Sequence, residues 1–176
     1  DDDRLSYSLQ QSHTNHGGTD NSSNMNEIVR YDLSTQNSGE WTTIAKVNEA
    51  NQRGGVAFVV EDKVYAGLGE KSNGIRNGFY VSSDSLTKWE LIPSIPAQLG
   101  VISSGVYDEQ KKSFFMIDND GKIWEYNLTT EQWTSRSLWI RMKNYHMFML
   151  DGSIYILGQD IYQKNKFTVY NPIWDN

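Results

Sequence analysis

The sequence predicts an all-β fold, a β-propeller with about three and a half blades of four antiparallel strands each. The first observation behind this prediction is a repeat of about 45 residues, a period typical of propeller blades. In each copy an apolar segment ends in a tyrosine, and a tryptophan follows it. The second observation is that no helical periodicity of apolar residues stands out. The repeating tyrosines are Tyr31, Tyr80, Tyr126 and Tyr170, which are 49, 46 and 44 residues apart.

Between these tyrosines and tryptophans, the chain has the pattern of short strands joined by tight turns. Residues 147–150 and 154–158 are apolar runs on either side of Asp151-Gly152. Asp-Gly favours a type I′ hairpin turn, in which both central residues have positive φ. Short strands of this kind form antiparallel meanders, and each meander has to bury its faces against its neighbours. A single blade would therefore not be stable alone.

We divide the chain into a polar N-terminal arm, residues 1–26, and the propeller blades, residues 27–176. The arm contains one strand-like segment, residues 5–9. In one arrangement this segment pairs with the blade that contains Tyr170 and closes a four-bladed ring. In the other, the chain is part of a larger propeller, completed by a preceding segment or by a second copy. We favour the second arrangement, because open blade edges invite pairing with other chains.

Composition excludes several classes of partner and chemistry. Sixteen basic and 22 acidic residues give a net charge of −6, which disfavours binding to nucleic acid. The absence of cysteine excludes disulfides, thiolate metal sites and cysteine nucleophiles. No apolar run has the length of about 18 residues that a transmembrane helix needs. We therefore expect no transmembrane segment and no nucleic-acid partner.

Three segments resemble elements of the kelch repeat, whose blades carry an apolar strand ending in glycines, then a tyrosine and a spaced tryptophan. They are residues 53–57 (Arg-Gly-Gly-Val-Ala), 65–69 (Tyr-Ala-Gly-Leu-Gly) and 126–133 (Tyr-Asn-Leu-Thr-Thr-Glu-Gln-Trp). The resemblance covers residues 27–176, although no unit keeps an intact double glycine after its tyrosine strand. It implies a degenerate, non-catalytic relative of the galactose-oxidase-like central domain. The copper enzymes of that type need a cysteine bonded to a tyrosine, so their activity is excluded here and no cofactor is expected.

Other motifs are better explained by structure than by chemistry. Residues 82–89 resemble the Asp-box turn of sialidase-like propellers at three positions, and that turn is structural in the family. Asp118-Asn119-Asp120-Gly121 resembles the start of a calcium loop, but Thr129 stands where the bidentate glutamate belongs. A hairpin turn explains this segment better. His13 and His16 lie in a glycine-rich polar stretch without a nearby third ligand, so no metal site is expected.

The best candidates for a binding surface lie between the repeat markers. Trp139 and Tyr145 fall on the connection that follows Trp133, beside several basic residues, although packing between blades would also explain both. A second group lies in the loop between Gly69 and Gly78. The predicted surface residues are Trp139, Tyr145, Arg136, Arg141, Asn73, Arg76 and Asn77.

The sequence therefore predicts a non-catalytic binding or scaffold module that recognises a protein or glycan partner in a bacterial extracytoplasmic setting: periplasm, cell surface or medium. The alternative is part of a glycan-active enzyme, sialidase-like or another carbohydrate-processing propeller. No nucleophile, zinc, phosphate-loop or dinucleotide motif occurs, and no catalytic residue is assigned. A third interpretation is an architectural module that docks against another domain and exposes a large apolar face.

Overall fold

The computed structural model describes residues 6–8, 27–31, 41–46, 55–71, 74–82, 86, 88–96, 104–118 and 120–175. Within these ranges the regular structure is fourteen β-strands and one short 3-10 helix, Pro172–Asp175. No helix in the described part is long and apolar enough to cross a membrane. The all-β prediction is confirmed.

The strands form antiparallel meanders in chain order. In the described part there are four sheets: the first (β1–β3), the second (β4–β7), the third (β8–β11) and the fourth (β12–β14). Within each sheet every strand pairs with the next strand along the chain. The strands are β1 (Ser6–Ser8), β2 (Glu27–Tyr31), β3 (Trp41–Lys46), β4 (Val56–Val60), β5 (Lys63–Lys71), β6 (Gly74–Ser82), β7 (Trp89–Leu91), β8 (Gly105–Asp108), β9 (Ser113–Ile117), β10 (Lys122–Asn127), β11 (Gln132–Trp139), β12 (Lys143–Leu150), β13 (Ser153–Gln159) and β14 (Asn165–Tyr170).

The sequence repeat corresponds to the sheet-forming unit. Tyr80, Tyr126 and Tyr170 all lie in the third strand of their sheets, β6, β10 and β14. Trp89 and Trp133 both lie in the fourth strand, β7 and β11. The second and third sheets have four strands each, as predicted, and the described parts of the first and fourth sheets have three.

The predicted hairpin turn between β12 and β13 is confirmed by its backbone. Asp151 has a φ of 48° and Gly152 a φ of 71°. Positive φ at both central residues is what a type I′ turn requires, and aspartate and glycine tolerate it better than other residues. The turn sets the register in which Leu150 pairs with Ser153.

The third sheet is buried on both faces. All five residues of β9 are buried, although side chains alternate between the faces of a strand. Phe114 and Met116 pack into a core shared with the second sheet, and Phe115 and Ile117 into a core shared with the fourth. Strand β8 also lies beside both β4 and β12. The second, third and fourth sheets therefore pack side by side in chain order.

The core between the second and third sheets is aromatic. The rings of Phe58 and Phe114 stack with centroids 4.4 Å apart, and Phe79 meets Phe114 edge to face at 5.8 Å. Each buried aromatic side chain contributes on the order of 2 kcal/mol through burial alone. Trp133 packs at the border of this core, and its indole nitrogen donates to the carbonyl oxygen of Pro93 at 2.7 Å. Trp133 therefore links the third sheet to the segment that follows β7 of the second sheet.

Asp118 organises the turn between β9 and β10. Its Oδ1 accepts hydrogen bonds from the backbone nitrogens of Asp120 and Lys122, each at 2.9 Å. Its Oδ2 accepts one from the indole nitrogen of Trp124 at 2.8 Å. These bonds confirm that the calcium-like segment is a hairpin turn, because the carboxylate is used by donors of its own loop.

Replacing Asp118 with alanine should destabilise the protein by about 3 kcal/mol, because it leaves two backbone donors and a buried indole N–H without an acceptor. The fourth sheet offers a matched control in Asp160, which accepts the same two backbone bonds, from Tyr162 and Lys164, in an exposed turn. Asp160→Ala should cost about 1 kcal/mol. Denaturant unfolding of both variants measures the difference, and equal losses would contradict the role of the Trp124 bond.

Candidate binding surface

The fourth sheet has one buried and one exposed face. Met147, Ile154 and Ile156 point to the third sheet and are buried. The alternate residues point away from it, because successive side chains of a strand lie on opposite faces. Phe148 and Phe167 on that side are 43% and 58% exposed, which is unusual for phenylalanine. The sheet is therefore apolar on both faces and covered on only one.

We call the exposed side the outer face. Strand pairing brings Phe148, Tyr155 and Val169 into one row across the sheet, and Leu157 and Phe167 into the next. The ring of Tyr155 stacks on Phe148 at 5.2 Å with an interplanar angle of 9°, and lies 5.8 Å from the ring of Phe167. The outer face consists of Phe148, Leu150, Tyr155, Leu157, Phe167 and Val169.

One end of the outer face is polar and concave. A β-bulge between Lys143 and His146 interrupts the pairing of β12 with β13, and Asn144 within it has a φ of 49°. The bulge fits only because residue 158 is glycine, since a Cβ there would lie 2.9 Å from the Cβ of Tyr145. The result is an open concavity of about 480 Å³. Its lining residues are Asn144, His146, Leu157, Gly158, Gln159, Asn165 and Lys166.

Tyr145 is an interior residue, which corrects the prediction that it lies on the surface. It is 4% exposed, and its hydroxyl donates to the carbonyl oxygen of Ile117 at 2.7 Å. A buried phenol needs such a partner, and this bond ties the fourth sheet to the third. Trp139 lies in β11 opposite Lys122, and only its backbone position is described.

Of the two predicted arginines, Arg136 is structural and Arg141 is exposed. Arg136 forms a mostly buried ion pair with Glu125, which lies on the neighbouring strand. The Nε of Arg136 is buried and has no hydrogen-bond partner in the described part of the chain. The pair therefore fixes β11 against β10 and does not present a free guanidinium to a ligand.

The second predicted group does not lie in a loop throughout. Arg76 and Asn77 are part of β6, and Arg76 pairs with Gly69 of β5. The correction arises because β5 and β6 form a longer hairpin than the polar sequence suggested. Asn73 lies outside the described residues.

Three tyrosines near the edge of the aromatic core have raised pKa values. Burial is the main cause for all three, and neighbouring carboxylates add to it: Glu131 for Tyr65 and Tyr126, and Glu109 for Tyr107. The pKa of Tyr126 rises to about 12. A tyrosine nucleophile needs activation toward the phenolate, and these environments act in the opposite direction.

The described residues contain no group of three or more His, Asp or Glu side chains placed to hold a metal ion. Neither a family model nor a curated protein matches the sequence. The fold is similar to the solved structure of YjhT, with a TM-score of 0.60 and 10% sequence identity over 86% of this chain. The chain spans 64% of the length of that structure. At this identity the likeness concerns the fold alone.

None of the residues of the outer face was among the predicted surface residues, although the sequence carried a signal for them. Residues 147–150 of β12 are Met-Phe-Met-Leu and residues 154–157 of β13 are Ile-Tyr-Ile-Leu, so both four-residue segments are apolar at every position. A strand with one solvated face alternates between apolar and polar residues, and an uninterrupted apolar run indicates two covered faces. These segments therefore indicate two covered faces, of which the described structure covers one.

The Glu125–Arg136 pair can be tested by removing one partner and then both. Glu125→Leu should destabilise the protein by about 3 to 5 kcal/mol, because it leaves a largely buried guanidinium without a counter-charge. The double variant Glu125→Leu/Arg136→Met should recover most of that loss, since it removes the stranded charge as well. Denaturant unfolding measures all three proteins. A double variant as unstable as the single one would overturn this account of Arg136.

The tyrosine cluster predicts a loss of stability at high pH. The pKa of Tyr126 is about 12 in the folded protein and 10.0 ordinarily, so the folded state holds this proton more tightly. The resulting stabilisation is complete below pH 10 and is lost as pH rises toward 12. The denaturant concentration at the unfolding midpoint should therefore fall as the pH rises from 10.0 to about 12. In Tyr126→Phe the fall should be shallower, and an unchanged slope would exclude Tyr126 as a cause.

Proposed function

We propose that the chain is a non-catalytic binding module that recognises a protein partner, and that the outer face is the surface to which the partner binds. The observation that carries this proposal is the contiguous exposed apolar surface formed by Phe148, Tyr155, Phe167 and their neighbours. Soluble proteins seldom expose a continuous apolar patch unless it is covered by something in its working state.

The chemistry of the face favours a protein over a glycan. Its centre consists of aliphatic and aromatic side chains, and the stacked rings of Phe148 and Tyr155 are held rigid by the sheet. Polar groups gather at the rim, among them His146 and Gln159. An apolar aromatic centre with a polar rim is the usual anatomy of a protein–protein interface.

We also propose that the sheets are blades of a β-propeller. The adjacency of β4, β8 and β12 supports this, since the first strands of successive blades lie side by side around a propeller axis. The likeness in fold to YjhT is a second support. The kelch-type resemblance and the bacterial extracytoplasmic setting belong to the same proposal and rest on the sequence alone.

Site-specific photo-crosslinking in the cells that produce the protein tests the proposed function. A benzophenone amino acid at position 148, or separately at 167, should form covalent adducts with the same protein, identified by mass spectrometry. The matched control is position 91, because Leu91 is an equally exposed apolar residue, at 59%, on the second sheet. Adducts at 148 and 167 that differ from each other, that also form at 91, or that are absent would overturn the proposal.

A further inference from the structure

The outer face occupies the place in the fold where the next sheet would pack. Tyr126 and Tyr170 are equivalent, so Phe115 and Ile117 of the third sheet correspond to Tyr155 and Leu157 of the fourth. Phe115 and Ile117 are buried against the fourth sheet, and their counterparts face away from the third. The outer face is therefore the third copy of a surface that is used twice as a sheet-to-sheet interface.

The first strands give the same result. Val56 in β4 packs into the core shared with the third sheet, and Val106 in β8 into the core shared with the fourth. The strand pairings place Phe148 of β12 in the same series, and it is exposed. The chemistry that fits such a surface is the apolar face of another β-sheet, packed about 10 Å away.

We propose that the outer face binds the outer face of a second copy of this chain about a twofold axis. This dimer rests on the proposed function, and it identifies the protein partner that the proposed function leaves open. A twofold contact uses the same patch on both copies, and it is the commonest symmetry of soluble oligomers. The outer face suits a contact with its own copy, because its six residues carry no charge. Two copies can therefore pack together without burying a charged side chain.

Charge favours this pairing at the ends of the face as well. Lys143 lies at the start of β12 and Asp151 directly after its end, so the two opposite charges mark opposite ends. A twofold axis that lies between the two outer faces and runs perpendicular to the strands places the Lys143 end of one copy over the Asp151 end of the other. Residues 143–170 contain three lysines and two aspartates, so this sheet is free of the acidic surplus that gives the chain its charge of −6.

Sedimentation equilibrium of the purified chain over a range of concentrations tests the proposal. The wild-type protein should be a dimer, and Phe148→Glu/Phe167→Glu a monomer with an unchanged circular dichroism spectrum. The matched control is Val59→Glu/Leu91→Glu, which places the same charges at two exposed apolar positions of the second sheet and should remain dimeric. A softer variant, Phe148→Thr/Phe167→Thr, keeps strand-forming residues and should weaken dimerisation at least tenfold.

Three outcomes would overturn the second copy as the partner. They are a wild-type monomer at all concentrations, equal dissociation of the control pair, or a mass that keeps growing with concentration, which indicates head-to-tail assembly. The proposed function fails separately. If the chain is monomeric but positions 148 and 167 crosslink one other protein, the binding module stands and the dimer does not. If crosslinking gives no common partner either, both proposals fail.

Discussion

The burial of the third sheet on both faces is the constraint on which the rest of the structure depends. Every residue of β9 is buried, with Phe114 on one side and Phe115 on the other as the largest contributors. One face is buried by the second sheet and the other by the fourth, so both sheets have to be in place to bury the third. Two carboxylates of this region have local partners: Asp118 accepts the donors of its own turn, and Glu125 forms an ion pair with Arg136. The third sheet is therefore the centre from which packing extends in both directions.

The sequence predicted those parts of the fold that depend on local chemistry or on the repeat. Asp151-Gly152 specifies its turn because few residue pairs accept two positive φ values in succession. Tyr126 and Trp133 are predictable because the same position recurs in each sheet, and a recurring position has a recurring environment. That the repeat consists of strands was also predictable, since a period of about 45 residues suits four short strands and the absence of helical periodicity disfavours helical repeats of similar length.

The candidate site was less predictable, because exposure depends on what lies opposite a residue rather than on the residue itself. Tyr145 follows a basic stretch and was therefore predicted to lie at the surface. It packs instead between the third and fourth sheets, where its hydroxyl donates to the carbonyl oxygen of Ile117. Arg136 was predicted to be available to a ligand for the same reason, but strand β10 places Glu125 beside it as an ion-pair partner. Phe148 is the opposite case: it lies in an apolar run typical of a core strand, and it is 43% exposed.

This last contrast links folding to association. The residues that bind the third sheet to its neighbours and those of the outer face occupy the same positions of the repeat, so one pattern serves for the core and for the candidate interface. Burial against the third sheet orders the fourth sheet and holds Phe148 and Tyr155 in a fixed stack, which lowers the entropy that a partner would have to overcome. Covering this ordered apolar surface is favourable for the same reason that the interior is stable, namely that apolar side chains are removed from water. The outer face is therefore a repeat of the surface through which the sheets of this fold pack on one another, and not a separate site added to the fold.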